Sequence, residues 1–408
     1  MKRACIGVLL AALVLGTVSC GNAFWSFCSG WWCYDYWPGY PLSFPCDDCR
    51  TPTSVAAGDL DGDGNVDLVA GGEKAGNLSI LFGQGNGQFS SPVLFDLTGA
   101  ATPAAPAAAL IDDEQGSAHV GLALVDEDEF LDILAIDEEA GEVLVLLNQG
   151  DGTFAVGPDG VLDLGLGAGI EDFEVGDVDG DTDADLIVVA EDGDVVVLLA
   201  QPDGSLLEPE GERLALGAGF AGMALVDVDE DGTPELLVAD EIAQILHVVS
   251  TDGTGTYMAT GTSYAVGSRP TAVAFGQLDG KPGLDLAILD GDEGTVHLYF
   301  GDGAGDFEAS PQVIQLPATT GVAIVTLPRA NGNPDDLAVA YEDEGRVGIV
   351  GYPNYGEGTF GPPGQPAYTS SLVGLGTASF NGDDRPDLFW ASPDRLAIGV
   401  ALGGPRNQ

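Results

Sequence analysis

The stretch Gly58–Gly72, GDLDGDGNVDLVAGG, places four carboxylates within nine residues of chain, and they belong to Asp59, Asp61, Asp63 and Asp67. Two carboxylates about 4 Å apart repel each other by ~1 kcal/mol in water and by ~4 kcal/mol near a protein surface. A loop that gathers four of them therefore needs a cation. Oxygen ligands at alternate positions suit Ca²⁺, which takes roughly 6–8 oxygens, whereas Mg²⁺ gives up its water reluctantly. We predict a calcium site here, to which Asn65 adds its backbone carbonyl.

The residues on either side of this loop indicate β-strands. An EF-hand has flanking helices and a Glu at the twelfth loop position, but the twelfth residue counted from Asp59 is Ala70. The flanking runs SVAAG and LVAGG are short, apolar and bounded by glycine, which is typical of strands. The loop is therefore expected to join two strands. The alternative is an acidic, glycine-rich turn that holds no ion.

The last carboxylate of this pattern recurs along the chain, each time followed by an apolar run. It is found as Asp67, Asp132, Asp185, Glu235, Asp285, Asp336 and Asp387. Most of the gaps are about 50 residues, a period typical of propellers and solenoids. Each unit has four short runs separated by turns rich in Gly and Asp. The pattern predicts an all-β fold, a seven-bladed β-propeller of four-stranded blades.

The two ends of the repeat region predict how the ring closes. The last unit stops after its third run, RLAIGVALGG, while the segment before the first unit is similar to the joins between later units. We therefore expect residues 40–47 to pair with the third strand near Leu396–Leu402. This N-terminal strand would complete the last blade and remove an exposed sheet edge.

The layout resembles the FG-GAP/VCBS repeat family, whose propellers occur in integrin α-chains and many bacterial surface proteins. The resemblance covers about residues 51–403 and is carried by PTSVAAGDLDGDGNVDLVAGG, LFGQGNGQF, FEVGDVDGDTDADLIVVA, MALVDVDEDGTPELLVAD and YFGDGAGDF. It implies a propeller with structural calcium in its loops and a binding surface of loops on the other face. It implies much less about activity, because one fold supports many functions.

Two further units have acidic loops that match the first. The ligands expected in unit 3 are Asp177, Asp179, Asp181, Asp183 and Asp185, and those expected in unit 4 are Asp227, Asp229, Asp231, Thr233 and Glu235. Thr182 stands where the first loop has Gly64. With the first loop, these units predict three calcium sites.

The other four loops depart from the pattern. Unit 2 has Leu124 at the first ligand place and Glu129 in place of the glycine, and unit 6, LPRANGNPDDL, has lost the ligands. Unit 5 has Lys281 at a carboxylate position, where an ammonium group could replace the charge of the ion. The residues from which we expect a weaker fourth site, in unit 7, are Ser379, Asn381, Asp383 and Asp387.

The charge balance narrows the range of partners. The chain has 65 acidic and 12 basic residues, a formal net charge of −53. So acidic a surface repels nucleic acid and anionic lipid. A salty, calcium-containing medium fits this composition. We expect a monomer that contacts a membrane only through a lipid anchor.

The N-terminus has the order of a secretory signal, with two basic residues, an apolar stretch and then small residues. The segment TVSC resembles a bacterial lipobox in which Cys20 would carry the lipid. Its first position departs from the motif, so simple secretion stays open, and the glycine after the cysteine implies the outer membrane. We expect a signal peptide (1–19), a Cys/Trp-rich tether and closure segment (20–50) and the propeller (51–408), in an exported outer-membrane or surface lipoprotein or a secreted protein.

Four further cysteines follow Cys20. In an exported chain they suggest two disulfides, most simply Cys28–Cys33 and Cys46–Cys49, although three connectivities exist. A redox role for CDDC would need a helix after it, and a four-thiolate zinc site is unusual in an exported protein. The aromatic stretch 24–40 either packs on the propeller as a cap or forms a platform for a carbohydrate or protein partner.

The sequence offers no recognisable catalytic pattern. His119, His247 and His297 fall in different units, and the chain has no Ser/His/Asp order, phosphate-binding loop or HExxH. His247 and His297 hold corresponding places in third runs, which indicates packing within blades. We expect a non-enzymatic, calcium-binding adhesion or binding module of the cell envelope, with a protein or glycan ligand. The alternatives are a polysaccharide-active lyase or hydrolase, whose acid–base pair could lie among the 65 carboxylates, and a purely structural lipoprotein.

Overall fold

The computed structural model describes residues 28–29, 32–33, 42–45, 51–72, 77–97, 118–167, 169–209, 213–217, 219–251, 253–308, 311–318, 320–329, 332–382, 385–395 and 397–403. The predicted signal peptide, Cys20, Cys46, Cys49 and Asp383 lie outside these residues. Three short strands precede the blades, and they are β1 (Cys28–Ser29), β2 (Trp32–Cys33) and β3 (Leu42–Pro45).

The first four blades follow one another along the chain as antiparallel sheets. Blade 1 consists of β4 (Pro52–Gly58), β5 (Asp67–Gly72), β6 (Asn77–Leu81) and β7 (Val93–Asp96). Blade 2 consists of β8 (Ala118–Ala123), β9 (Asp132–Asp137), β10 (Glu142–Asn148) and β11 (Phe154–Asp163). Blade 3 consists of β12 (Ile170–Gly176), β13 (Asp185–Ala190), β14 (Asp194–Ala200), and two short strands that both pair with β14, β15 (Leu206–Leu207) and β16 (Leu214–Ala215). Blade 4 consists of β17 (Phe220–Val226), β18 (Glu235–Asp240), β19 (Ile245–Thr251) and β20 (Tyr257–Ala265).

The last three blades repeat the same order of strands. Blade 5 consists of β21 (Pro270–Gly276), β22 (Asp285–Asp290), β23 (Thr295–Tyr299) and β24 (Gln312–Gln315). Blade 6 consists of β25 (Gly321–Leu327), β26 (Asp336–Asp343), β27 (Arg346–Tyr352) and β28 (Ala367–Thr369). Blade 7 takes β29 (Val373–Ala378), β30 (Asp387–Ser392) and β31 (Ala397–Ala401) from the end of the chain and β3 from its beginning.

The second strand of each blade is the most buried. In β13, DLIVVA, every residue is buried, because the neighbouring blades cover both faces of the sheet. Such a strand needs apolar side chains on both faces, which explains why these runs are continuously apolar and do not alternate. The apolar runs that follow the recurring carboxylate therefore lie in the middle of the blades.

The blades form a closed ring. The first strand of each blade contacts the first strand of the next, and β29 of blade 7 contacts β4 of blade 1. Apolar clusters fill the interfaces between neighbouring blades. At the junction of the ring, Leu68 of blade 1 packs in one cluster with Ile398 and Val400 of blade 7. The predicted seven-bladed propeller of four-stranded blades is confirmed.

The predicted closure strand is also confirmed. β3 pairs antiparallel with β31, with Leu42 opposite Val400 and Pro45 opposite Ala397. An N-terminal strand thus completes the blade made by the C-terminus, so that β31 is not left as an open edge.

Helical structure is minor. A 3-10 turn at Pro393–Arg395 precedes β31, and the described ranges contain no α-helix. No helix long and apolar enough to cross a membrane is found among them.

Candidate metal centres

The recurring carboxylate at the start of each second strand is a buried hydrogen-bond acceptor. In blade 1 the Leu60 amide donates to Asp67 Oδ2 and the Gly83 amide donates to Asp67 Oδ1, both at 2.7 Å. The same pair of amide bonds reaches Asp132, Asp185, Asp285 and Asp387. The carboxylate therefore ties the loop between the first two strands to the end of the third. Sequence reasoning treated it only as a metal ligand and missed this structural reason for its recurrence.

In three blades this carboxylate is joined by two others. One oxygen of each residue lies within 4.8 Å of the other two, and the clusters are Asp59, Asp61 and Asp67; Asp177, Asp179 and Asp185; and Asp227, Asp229 and Glu235. They occupy the loops of blades 1, 3 and 4, which the sequence singled out. The fold brings three oxygen ligands together at each.

Asx turns shape these loops. In blade 1, Asp59 Oδ1 accepts from the Gly62 amide (2.9 Å) and Asp59 Oδ2 from the Gly64 amide (2.8 Å). Both glycines have positive φ, 73° and 85°, a region that side chains with a Cβ rarely adopt. The chain thereby wraps around the first carboxylate and turns Asp61 back toward Asp67.

The loop of blade 3 makes the same turn without a glycine at the last position. The Thr182 amide donates to Asp177 Oδ2 at 3.0 Å, and Thr182 has a φ of 85°. A β-branched residue in this region is strained. The hydrogen bond to the carboxylate holds the backbone in this conformation.

Burial and mutual repulsion raise the pKa values of the innermost acids. Burial is the main cause at Asp67, whose pKa rises to about 6 although two amides oppose the shift and Asp61 and Asp59 add to it. The pKa of Asp185 rises to about 7 and that of Glu235 to about 6 for the same reasons. A bound cation would favour the ionised form of each group.

The other predicted ligands lie on the same loops but outside the three clusters. Asp63 and Asp181 each accept from the amide two residues on, at 2.8 and 3.0 Å. The Asn65 side-chain amide donates to Asp63 Oδ2 (2.8 Å). The Thr233 hydroxyl donates to Asp231. Asp63, Asp181, Asp183 and Asp231 are not brought into the three-acid clusters, and these hydrogen bonds support the loop conformation. The backbone carbonyl of Asn65 and the hydroxyl of Thr233 stay predicted ligands.

An aromatic ring takes part in the loop of blade 2. Asp126 and Asp128 accept from amides two residues on, at 3.0 and 2.7 Å, but they form no three-acid cluster with Asp132 in the part of the chain that is described. The Phe130 ring lies against Gly150, where an added Cβ would come within 2.4 Å of it. Apolar contact thus packs this loop against the end of the third strand.

Basic side chains contact carboxylates in the loops of blades 5 and 6. Lys281 Nζ lies 2.5 Å from Asp279 Oδ2. In blade 6, Arg329 Nη1 donates to the carbonyl of Asn354 (2.7 Å) and lies 3.5 Å from Asp336 Oδ1. The geometry of Lys281 agrees with the interpretation that an ammonium group replaces an ion's charge. The contribution of Arg329 was not predicted, although its place in a loop without ligands was a visible signal.

A fourth cluster was missed by the sequence reasoning. Asp290, Glu293 and His297 of blade 5 bring one ligand atom each within 4.8 Å of one another. Asp290 ends β22, Glu293 lies in the following turn and His297 lies in β23, at the end of the blade opposite the acidic loops. The matching places of His247 and His297 in the sequence predict packing within blades, and this prediction leaves the cluster out.

The described residues test the cysteine pairings only through the backbone. The β1–β2 pairing places Cys28 opposite Cys33 in the backbone register, and Cys46 and Cys49 are not described. Both pairings therefore stay predictions, as does the metal site of unit 7, whose Asp383 is likewise not described.

Comparison with known proteins supports the repeat assignment. The model of the FG-GAP-like repeat matches residues 59–112, 125–188 and 177–238, which include all three acidic clusters. No curated protein gives a significant match to the chain.

Solved structures share the fold at low sequence identity. BBS1N, from a complex with ARL6DN, is 15% identical, with a TM-score of 0.58 over 91% of this chain and 95% of that chain. Saccharomyces cerevisiae Sqt1 is 11% identical, with a TM-score of 0.50 over 88% and 100%. The rhamnogalacturonan lyase YesW is 15% identical, with a TM-score of 0.49 over 91% and 77%. The three repeat matches lie within a closed ring of seven blades, so this chain is a seven-bladed β-propeller that contains FG-GAP-like repeats.

Proposed function

We propose that this chain is a calcium-stabilised, non-enzymatic propeller that binds a protein or glycan ligand at the cell envelope. The observation that carries the calcium part is the set of three carboxylate clusters at equivalent loops of blades 1, 3 and 4. Each offers three hard oxygen ligands, and the loop backbone can add more, as Ca²⁺ requires. The residues present therefore fit this ion.

Calcium in these loops would be structural. The innermost acid of each cluster also holds amides of its own blade, for example Val178 (2.8 Å) and Ala200 (2.8 Å) on Asp185. An ion bound there would neutralise the loop and fix it to the second and third strands. Extracellular calcium modules commonly bind at about 10⁻⁴–10⁻³ M, which suits an exported protein.

Two of the histidines lie beside carboxylates of their own blade. His119 Nδ1 lies 2.6 Å from Glu138 Oε1 and His247 Nε2 lies 3.5 Å from Asp240 Oδ2, each pair within one blade. Such local pairs orient a side chain within a sheet. We further propose that the chain is exported, that Cys20 carries a lipid and that the four remaining cysteines after Cys20 form two disulfides.

Calcium counting tests this proposal. Native mass spectrometry in excess Ca²⁺ is expected to show three ions per chain, and chelation to lower the melting temperature, because one site at 100 times its Kd stabilises by about 2.7 kcal/mol. Asp179→Asn should lose one ion. The matched control is Asp126→Asn in blade 2, which should keep all three. A chain that binds no calcium, or that melts identically after chelation, would refute the proposal.

Ligand binding needs a separate experiment. A glycan array probed with the calcium-loaded chain, and again after chelation, tests for a sugar ligand. Pull-down with envelope proteins tests for a protein ligand. Turnover of a polysaccharide by the purified chain would overturn the non-enzymatic assignment.

A further inference from the structure

We propose that Asp290, Glu293 and His297 of blade 5 form a site for a divalent transition metal such as Zn²⁺, separate from the calcium loops. One ligand atom of each residue lies within 4.8 Å of the other two. In tetrahedral zinc coordination, ligand atoms at about 2.0–2.2 Å from the ion lie about 3.4 Å apart. Small side-chain rotations therefore close the existing cluster around an ion.

The hairpin places the three residues on one side of the sheet. Asp290 ends β22 and pairs with Thr295, and His297 pairs with Ile288. Asp290 and His297 are therefore diagonal neighbours on the same face. Glu293 lies in the connecting turn, three residues after Asp290, and is exposed. The ligands come from one short segment, so that the site needs no movement of the blades.

Hydrogen bonds orient two of the ligands. Asp290 Oδ1 accepts from the amides of Asp292 (3.0 Å) and Glu293 (2.9 Å). Its Oδ2 accepts from the amides of Ser268 (2.6 Å) and Arg269 (3.3 Å), and the Ser268 hydroxyl lies 3.1 Å from Oδ2 and 3.3 Å from Oδ1, so that an ion would replace this hydroxyl. His297 Nε2 lies 3.1 Å from Thr295 Oγ1. Metal-binding carboxylates and imidazoles typically have such outer partners. The Glu293 carboxylate has no hydrogen-bond or ion-pair partner among the described residues, so it is available to a ligand.

Blade 4 has the same turn without the third ligand. Asp240 and His247 occupy the places of Asp290 and His297, but the residue three after Asp240 is Ala243, whose amide caps Asp240 Oδ1 at 2.7 Å. There the histidine and aspartate lie 3.5 Å apart. In blade 5 they form no ion pair, because no nitrogen–oxygen distance between them is within 4.0 Å. Asp290 and His297 are therefore not joined to each other in blade 5, which is the blade that adds the Glu293 carboxylate.

The ligand types determine which metal fits. Imidazole nitrogen suits zinc, copper and nickel, whereas calcium takes oxygens. The neighbouring cation does not enter the cluster, since the Arg269 guanidinium lies 3.2 Å from Asp292 and 3.4 Å from Glu241. The site should therefore select zinc while calcium fills the acidic loops.

Calorimetric titration of the full chain with ZnCl₂ in excess calcium tests the proposal. We expect one equivalent of zinc that is lost, or bound at least tenfold more weakly, in Glu293→Ala and in His297→Gln. Glu293→Ala introduces the residue that blade 4 has at this place, and Glu293 is exposed, so its fold should be kept. His247→Gln is the control in blade 4 and should bind as the unmodified chain does.

The variants keep every cysteine, so zinc bound by thiolates is common to all of them. Cu²⁺ provides an independent readout, because nitrogen hyperfine coupling in the electron paramagnetic resonance spectrum should disappear in His297→Gln and persist in His247→Gln. Equal zinc binding by the unmodified chain and Glu293→Ala would overturn the proposal. Because calcium is present in excess throughout, that result would leave the calcium assignment untouched.

Discussion

Blades 1, 3 and 4 differ from blades 5 and 6 in how they balance the charge of the same loop. The first group gathers three acids around one point, whereas the second has fewer acids and adds a basic side chain. In blade 6 the Arg329 side chain is only 17% exposed and reaches Asp336. In blades 5 and 6 a basic side chain thus supplies positive charge beside a carboxylate of the loop. In blades 1, 3 and 4 we propose that calcium does so, whereas the described loop of blade 2 has neither a cluster nor a basic partner.

In blades 2 and 6, an asparagine side chain donates to the neighbouring blade. In blade 2, Asn148 Nδ2 donates to the Leu60 carbonyl of blade 1 (2.9 Å), and in blade 6, Asn354 Nδ2 donates to the Leu278 carbonyl of blade 5 (2.6 Å). Neither blade has a three-acid cluster among its described residues. Side-chain amides thus link neighbouring blades where an ion is not expected.

Removing the recurring carboxylate should lower the free energy of unfolding more than any other change considered. Without metal, the loss should be similar in blades with and without an acidic cluster, and unequal losses would contradict a shared structural role. Asp132→Ala leaves the buried amides of Val125 and Asn148 without an acceptor, and each such loss costs about 1–3 kcal/mol. We expect destabilisation of about 2–5 kcal/mol that chelator does not change.

Asp185→Ala is the matched variant in a blade with a cluster. It should be destabilised to a similar extent in chelator, and further in calcium relative to the unmodified chain, because it also removes a ligand. Denaturant melts with and without chelator measure both terms. Equal calcium stabilisation in Asp185→Ala and the unmodified chain would contradict a metal role for this residue.

The pH dependence of stability should report on the buried acids of loops with and without a cluster, since burial also raises the pKa of Asp132 in blade 2 to about 6. The folded-state pKa values of Asp67, Asp185 and Glu235 are raised to about 6, 7 and 6, so the folded state binds protons more tightly than the unfolded state. Their contribution is present below pH 4 and is lost as the pH rises through about 6 to 7. The chelated chain should melt at a lower temperature at pH 8 than at pH 5.

Calcium requires ionised carboxylates, so the rise in melting temperature that it causes should grow over the same interval. Scanning calorimetry at a series of pH values, with calcium and with chelator, measures the effect. A calcium-induced shift that is constant from pH 5 to pH 8 would show that these acids are not ligands.

Replacing the arginine of blade 6 tests whether a side chain takes the place of calcium in this loop. Arg329→Gln removes a buried cation from Asp336 and a donor from the Asn354 carbonyl, and we expect a loss of about 1–3 kcal/mol. The loss should be the same with calcium or chelator.

Lys281→Gln is the control for this variant. The Lys281 side chain is 67% exposed, whereas its partner Asp279 is only 3% exposed. Solvent weakens the pair from the lysine side, so we expect a smaller loss of stability than in Arg329→Gln, again the same with calcium or chelator. A loss of stability in Arg329→Gln that changed with calcium would show that Arg329 is not the only positive charge balancing the loop of blade 6.

The smallest expected effect is at Thr182. Thr182→Gly relieves a left-handed conformation at the place where blade 1 has Gly64, and the gain is partly offset by the flexibility of glycine in the unfolded chain. We expect stabilisation by about 0.5–1 kcal/mol with an unchanged calcium count. A destabilised variant, measured by denaturant melts, would show that the threonine has a further contact in this loop.

The sequence was sufficient for the architecture because the determining signals are local and repeated. A buried carboxylate followed by a continuous apolar run recurs about every 50 residues, and each run can lie only in the middle of a blade. The closure by β3 followed from the missing fourth run of blade 7. The three acidic clusters followed from ligand spacing within single loops.

Only the tertiary structure decided which groups meet between segments. The buried Asp67 accepts from Gly83, which lies 16 residues away, and Asn354 reaches a loop of another blade. Arg329 and the Asp290–Glu293–His297 cluster likewise depend on how strands and turns pack. Spacing along the chain encodes ligands on one loop. Contacts across a blade arise only when its strands pair, and contacts between blades only when neighbouring blades pack, because strand register and blade packing determine which atoms come within hydrogen-bond distance.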